Sequence, residues 1–403
     1  MISVEAHLAR VLAAVDPLTR RDTVGLADAT GRTLAVDLVS HLEVPPFDNS
    51  AMDGYAVRRA DLRGATPEAP VELEVVADLP AGAGDDPALE RGQAVRIMTG
   101  APVPSGADAV VAVEATDGGT ERVRIALEPV AGRHIRRAGE DARRGAAVLT
   151  AGTVLAPRHL AAAAAAGHAV LDVVARPRVA IAATGSELVA PGEPLPHGSI
   201  PDSNSTLLAG LAADAGAEVV AAGRLPDDPD AVRAWLAALP GCDLVVCSGG
   251  VSVGAHDVVR AVLGATGQVV FEQVAMQPGR PQAFGSLADG TPVFGLPGNP
   301  VAVHVSFEMF VRPAILRLLG RRRPEPVPLV VGAGWRSPAG RVQVMPIAVT
   351  SQVASLVAVP AYPGGSASHL VTGLAAADGF AVVPADVTEV AVGQTVPVLL
   401  AGR

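Results

Sequence analysis

Three glycine-rich loops and a scatter of carboxylates are the residues of this chain whose types and spacing could do chemistry. Thr184-Gly-Ser-Glu-Leu188, Ser248-Gly-Gly-Val-Ser-Val-Gly254 and Gly295-Leu-Pro-Gly-Asn-Pro300 each follow a short apolar run. Glycine lets a backbone approach an anion closely, and a loop that opens a helix offers backbone N–H groups and the positive helix end to a phosphate. In the third loop Asn299 has the residue type of an N-cap and Pro300 that of a first helical position. Taken singly, each loop also reads as a plain turn with a helix cap. Three of them at the carboxyl edge of one α/β sheet, where ligands bind, point to a phosphate-bearing ligand. None matches GxGxxG or GxxxxGK[ST], which disfavours a Rossmann dinucleotide site and a P-loop ATPase.

Carboxylates stand at the same sheet edge: Glu187 in the first loop, Asp227 and Asp228 after the second strand, and Asp257 at the start of the helix that follows the second loop. Acids beside an anion site call for Mg²⁺, a hard cation that takes oxygen ligands and phosphates. Asp228, just before Pro229, reads as a helix cap. Asp227 and Asp257 stand where a carboxylate also suits a helix dipole. Upstream, Pro46-Phe-Asp-Asn-Ser-Ala-Met-Asp-Gly-Tyr-Ala56 packs Asp48, Asn49, Ser50 and Asp53 into a stretch too polar for a core, although an Asx-turn loop has a similar composition. Asp141, in Arg136-Arg-Ala-Gly-Glu-Asp141, adds an acid beside two guanidiniums suited to bidentate anion contacts. Thr99, in Met98-Thr-Gly-Ala-Pro-Val-Pro104, offers a hydroxyl at a strand end. These residues imply a Mg²⁺-assisted reaction on an anionic, phosphorylated ligand. No Ser-His-Asp arrangement stands out, and His41, His134, His159 and His256 lack metal-ligand spacing.

The elements that must position these groups are legible in the apolar pattern. Val4, Leu8, Val11, Leu12 and Val15 recur at helical spacing and predict an amphipathic helix ending at Asp16-Pro17. From about residue 24 to 150, short β-type runs alternate with Gly and Pro, a mainly-β region; residues 156–175 read as an Ala-rich helix and a short strand. From Arg178 the chain repeats strand, glycine turn and helix. Strands are predicted at 179–183, 218–222, 244–247, 268–271 and 292–294, and helices at about 204–215, 229–239, 256–264 and 300–319. Unbroken apolar strands between amphipathic helices imply a doubly wound, mostly parallel α/β sheet. After the basic, Pro-rich linker Arg321-Arg-Arg-Pro-Glu-Pro-Val-Pro328 comes β texture with one short helical piece near 367–377. The fold class is therefore multidomain α/β, with a mainly-β N-terminal region and a C-terminal β domain.

Composition sets outer bounds. The 403 residues are 49% hydrophobic, 18% charged and 3% aromatic, which marks a globular chain despite 43 Gly and 34 Pro. Arginine supplies all 31 basic residues against 41 acids, and the net charge of -10 argues against nucleic-acid binding. No export signal or bilayer-spanning run is apparent; 160–175 is interrupted by Gly167, His168 and Asp172. Cys242 and Cys247 are expected at the two ends of one strand, too far apart to bridge, as free thiols in a reducing cytoplasm.

In this order, the runs closely resemble the molybdopterin molybdenumtransferase family, MoeA in bacteria and the E domain of gephyrin in animals. Phe47 to Ala56 is highly specific to that family, and Met98 to Pro104, Ser248 to Gly254 and Gly295 to Pro300 fall where the family has them. The resemblance implies a homodimer of four-domain subunits whose doubly wound domain is similar to a molybdopterin adenylyltransferase. Its divisions would be a helix at 1–22, a connecting domain of 23–45 with 142–176, a mainly-β domain at 46–141, the molybdopterin-binding domain at 177–322 and a barrel-like domain at 323–403. It implies a reaction in which adenylylated molybdopterin and molybdate give molybdenum cofactor and AMP with Mg²⁺, and handling partners in the adenylyltransferase and apo-molybdoenzymes. The family's functional acids fall on Asp53, Asp141, Glu187, Asp227 and Asp257, with Glu187, Asp227 and Asp257 on the metal. Its active-site hydroxyl falls on Thr99, as a donor to an oxyanion. Ser248, Gly249, Gly250, Ser252, Arg280 and the Pro297, Gly298, Asn299, Pro300 loop would bind substrate, with Ser368 contributed by the dimer partner. Gln273 and Gln277 stand where many members have lysine, and Pro346 where arginine is common. A non-catalytic molybdopterin-binding scaffold and a tungstate-inserting relative are the competing readings; the full length counts against a stand-alone adenylyltransferase.

Overall fold

The computed structural model describes residues 1–251, 258–265, 267–352, 355–363 and 365–401. They divide into two compact units, one of residues 1–22 with 174–403 and the other of residues 23–173.

The first unit is built on a six-stranded sheet. Its strands are β1 (Arg178–Thr184), β2 (Glu218–Leu225), β3 (Leu244–Ser248), β4 (Val269–Gln273), β5 (Pro281–Ser286) and β6 (Pro292–Leu296), in the order β2-β1-β3-β6-β5-β4. The four from β2 to β6 run parallel, while β5 and β4 are antiparallel. The apolar runs bury both faces. In β1, Val179 and Ile181 join one core with Leu208, Val246 and Phe294, and Ala180 and Ala182 join the other with Val232, Val245 and Val259. That two-residue alternation is what a covered parallel sheet demands. Helices α1 (Val4–Ala13), α2 (Asn204–Asp214), α3 (Pro229–Ala237) and α4 (Val258–Gly264) supply cover, with Ser3 capping α1 and Asp228 capping α3 through its side chain.

The predicted helix at 300–319 is α5 (Pro300–Ser306), a π turn (Phe307–Val311) and α6 (Arg312–Leu318). Pro313 has no N–H to continue an α-helical ladder, and the widened turn turns Glu308 inward. There Arg312 donates to both of its carboxylate oxygens, at 2.7 and 3.0 Å. Strand β5 lies outside the strands predicted from the sequence, because Gln282, Gly285 and Ser286 interrupt its apolar run. Cys242 lies before β3 rather than at its end; both cysteines are free, as expected.

The C-terminal strands Val327–Val331, Val342–Gln352, Ser355–Pro360, Gly379–Val383 and Thr395–Leu400 pair in a closed circuit within the same unit. The two-residue strand Met276–Gln277, from the connection between β4 and β5, pairs in parallel with Val342 and Gln343. This joint carries one wall of the site described below. In the second unit, Ala109–Ala112, Gly54–Val57, Gln93–Ile97, Val71–Leu79 and Arg122–Ile125 form a five-stranded sheet around Tyr55, Leu73 and Ile125. A smaller core packs helix Pro157–Ala165 with Leu34 and Leu171.

Two histidines of the first unit are buried among aromatics. His7 is 1% exposed, edge-on to Phe310 at 4.6 Å; burial pushes its imidazole down to about 4 against the opposing pull of Glu272. His304, against Phe380 at 4.8 Å, is likewise pushed down to about 4 by burial, with Arg312 adding to the effect. Both rings are neutral in the fold, and the unfolded chain binds protons near the ordinary 6.5 that the folded chain refuses. Their contribution to stability is complete above that value and is lost as pH falls from 6.5 towards 4. Denaturant midpoints are expected to drop over that range, and less steeply in a His7→Gln, His304→Gln variant; identical slopes would contradict the assignment.

Candidate active site

At the carboxyl edge of the parallel strands, the three glycine loops meet around a cleft of about 400 Å³. Glu187 and Asp227 line it together with Gly249, Gly250, Pro297 and Gly298, and among the described residues no Lys, Arg or His is in its lining. Asp227 is held by reciprocal bonds: the Ser186 N–H donates to Asp227 Oδ2 at 3.0 Å, and the Asp227 N–H donates to Ser186 Oγ at 3.0 Å. The Glu187 carboxylate folds back over Gly185, so close that a Cβ there would sit 2.6 Å from Oε2. Gly249 forms the floor with φ +87°; a Cβ would meet the Thr184 carbonyl oxygen at 2.5 Å. Thr184 Oγ1 donates to the Ser248 carbonyl at 3.3 Å, and the buried Ser248 hydroxyl has no protein partner among the described residues. No group of three metal-binding side chains forms among the described residues. Two carboxylates without a counter-cation, beside a glycine floor, nevertheless fit Mg²⁺, which takes few protein oxygens and completes its shell with water and phosphate.

The second cleft, about 410 Å³, shares Pro281, Pro297 and Asn299 with the first. Its polar lining is of the opposite kind: Gln277, Arg280, Arg341, Ser366, Ser368 and His369, with no carboxylate among the described residues. The parallel pairing of Met276–Gln277 with Val342 and Gln343 brings Arg341 here. Asn299 stands at the N-cap position of α5, but its side chain makes no cap bond. Its Nδ2 donates instead to Ser368 Oγ at 2.9 Å, while the Ser368 carbonyl accepts the Val301 N–H at 3.0 Å. The expected free helix end is thus partly closed by a neighbouring loop. Ser368 of the same chain lines this cleft. On the other side Asn204 Nδ2 donates to the Gly298 carbonyl at 2.7 Å.

The remaining sequence candidates fall elsewhere. Asp53, Thr99 and Asp141 belong to the second unit. Asp53 Oδ1 accepts both the Thr99 N–H at 2.7 Å and the Thr99 hydroxyl at 2.8 Å, and the backbone bond first, then the hydroxyl, holds its carboxyl below the ordinary range. The Thr99 proton is therefore spent on Asp53 rather than offered to an oxyanion. Asp141 is exposed, and Arg137, expected beside it, pairs with Asp48. Ser252 and Asp257 lie outside the described residues. Gln273 is exposed at the end of β4, and Pro346 is buried in its strand. Arg341, Ser366 and His369 were missed in the sequence; no local spacing marks them, because strand pairing over some sixty residues assembles this cleft.

Comparisons with known proteins agree along the whole chain. Family models match as the MoeA N-terminal region (domain I and II) over residues 2–167, a probable molybdopterin binding domain over 180–317, and the MoeA C-terminal region (domain IV) over 328–401. The chain is 45% identical over 409 residues to molybdopterin molybdenumtransferase 2 of Mycobacterium tuberculosis, covering 99% of each. It is 37% identical to the molybdopterin molybdenumtransferase of Bacillus subtilis, covering 94% of this chain and 89% of that one. Among solved structures, the molybdopterin biosynthesis MoeA protein of Pyrococcus horikoshii superposes with a TM-score of 0.84 at 32% identity, covering 99% of both chains.

The floor of the first cleft is testable without a ligand. Gly249→Ala adds a backbone clash to left-handed strain, whereas Gly290, with φ +88°, has nothing within 4 Å of a Cβ. Strain of this kind costs about 1–3 kcal/mol, so denaturant unfolding should show Gly249→Ala losing clearly more stability than Gly290→Ala. Equal losses would contradict the packing described.

Proposed function

This chain belongs to the MoeA family, and from that premise we propose that it inserts molybdenum from molybdate into adenylylated molybdopterin, releasing AMP. The observation that carries the reading is the pair of adjoining clefts of opposite character on one shared loop. The substrates have the matching features: a phosphoanhydride that needs a cation, and a tetrahedral dianion that needs donors.

In the first cleft, Gly249, Gly250 and the Pro297–Gly298 turn let the pterin phosphate approach the backbone, with Ser248 behind them and Pro300 opening α5. Glu187 and Asp227, with Asp257, would hold Mg²⁺, which when bound would supply neutralisation of the charge on the phosphoanhydride. In the second cleft, Arg280 and Arg341 bind molybdate with the hydroxyls of Ser366 and Ser368; donors, rather than carboxylates, hold an anion. The guanidiniums' planar fork does here what a compact ammonium would do differently, and Gln277 adds a neutral donor. Positioned charges of this kind supply most of the rate in phosphoryl chemistry. Asp53 and Asp141 act as further acidic groups and Thr99 orients Asp53, in a homodimer that receives its substrate from an adenylyltransferase and delivers cofactor to apo-molybdoenzymes. Among the described residues no helix is long and apolar enough to cross a membrane; the proposed setting is the cytoplasm.

The two clefts predict separable defects. Asp227→Asn is expected to cut AMP release about a hundredfold or more and to raise the Mg²⁺ concentration needed. Arg341→Met is expected to raise the KM for molybdate tenfold to about a hundredfold, the worth of a hydrogen bond to a charged group, with the Mg²⁺ requirement unchanged. Steady-state AMP release measured against each ion decides the matter, and an Arg341→Met enzyme with normal molybdate dependence would sink the assignment.

A further inference from the structure

Behind the second cleft lies a chain of hydrogen bonds whose direction is fixed by its first member. Gln343, 4% exposed, sits on the strand Val342–Gln352. The Trp335 indole can only donate, and its Nε1 lies 2.9 Å from Gln343 Oε1. The amide oxygen must therefore face Trp335 and the amide nitrogen the other way. Nε2 donates to Ser366 Oγ at 3.0 Å, with a longer contact of 3.5 Å to the Arg336 carbonyl. Ser366 is 7% exposed and lines the cleft. A hydroxyl that accepts from an amide keeps its own proton to give, and among the described residues none takes it. Ser368 is set in the same way by Asn299.

We infer that Gln343 is a positioning residue for anion selection: held by Trp335, it sets Ser366 to donate into a cleft that contains no carboxylate among the described residues. The inference rests on the reading of this cleft as the molybdate site, and deepens it to a selection rule. A fully ionised tetrahedral oxyanion such as molybdate accepts from every group around it. Monohydrogen phosphate carries a proton of its own, and among the described lining residues no carboxylate is there to take it; hydroxyls and guanidiniums set as donors crowd it instead, and an unpaired buried donor is costly. The cleft thus takes molybdate in preference to phosphate of similar shape and charge.

The test is equilibrium binding of molybdate and of inorganic phosphate to the full chain at about pH 8, where phosphate still carries a proton, alongside thermal melting. Wild type is expected to prefer molybdate by at least about tenfold. Gln343→Glu keeps the shape and the acceptor for Trp335, but its carboxylate takes the Ser366 proton. Molybdate binding should then weaken about tenfold and the preference over phosphate should narrow. Gln343→Met leaves Ser366 free to donate and should change binding less than Gln343→Glu does. A merely structural glutamine gives the reverse order, Met harmful and Glu tolerated, and that result would overturn the inference. Trp335→Phe, which frees the amide to turn, should weaken molybdate binding several-fold and provides the test if Gln343→Glu melts early; unchanged binding there counts against the relay. Wild type that binds no molybdate would instead overturn the assignment of the cleft itself.

Discussion

Two side-chain amides hold the turn at residues 297–299, and the chemistry on either side depends on that restraint. Asn204 reaches the Gly298 carbonyl from the start of α2, and Asn299 reaches Ser368 in the C-terminal segment. Each bond is worth only about 0.5–1.5 kcal/mol net, but together they fix a piece of backbone that is wall to both clefts. The Val301 N–H on the Ser368 carbonyl adds a third tie. Without these ties the acidic cleft and the donor cleft would be two independent surface features.

Opposite character within one site resolves an electrostatic difficulty. Anionic substrates approach a chain of net charge -10, and carboxylates such as Glu187 and Asp227 repel them unless a cation intervenes. The proposed donor cleft removes the second half of the difficulty, because Arg280 and Arg341 line it with no carboxylate beside them among the described residues. Arginine is this chain's only cationic residue besides protonated histidine. Its fixed fork suits a tetrahedral oxyanion, while Gln277 contributes dipoles without charge.

The features legible in the sequence were those set by local rules. Apolar runs with glycine turns gave the parallel sheet, Asp-Pro gave the cap of α3 at Asp228, and the three loops with the turn after β2 gave the first cleft, including Glu187 and Asp227. What escaped depends on distant pairing or on competition for a side chain. Arg341 and Ser366 carry no signature of their own and reach the site through the pairing of Met276–Gln277 with the C-terminal sheet. Asn299 has the type and place of a cap, yet Ser368 competes for its amide. Thr99 has a free-looking hydroxyl in the sequence and gives its proton to Asp53 in the fold. His7 and His304 look like ordinary polar positions on helices until aromatic neighbours close over them.

The claim that the two clefts form one reaction site is tested most directly by AMP release from adenylylated molybdopterin with purified protein, titrated with molybdate and Mg²⁺ together. The account predicts release that requires both ions, with each raising the response to the other. Release that proceeds fully without molybdate would contradict it, as would tight substrate binding with no release when both ions are present.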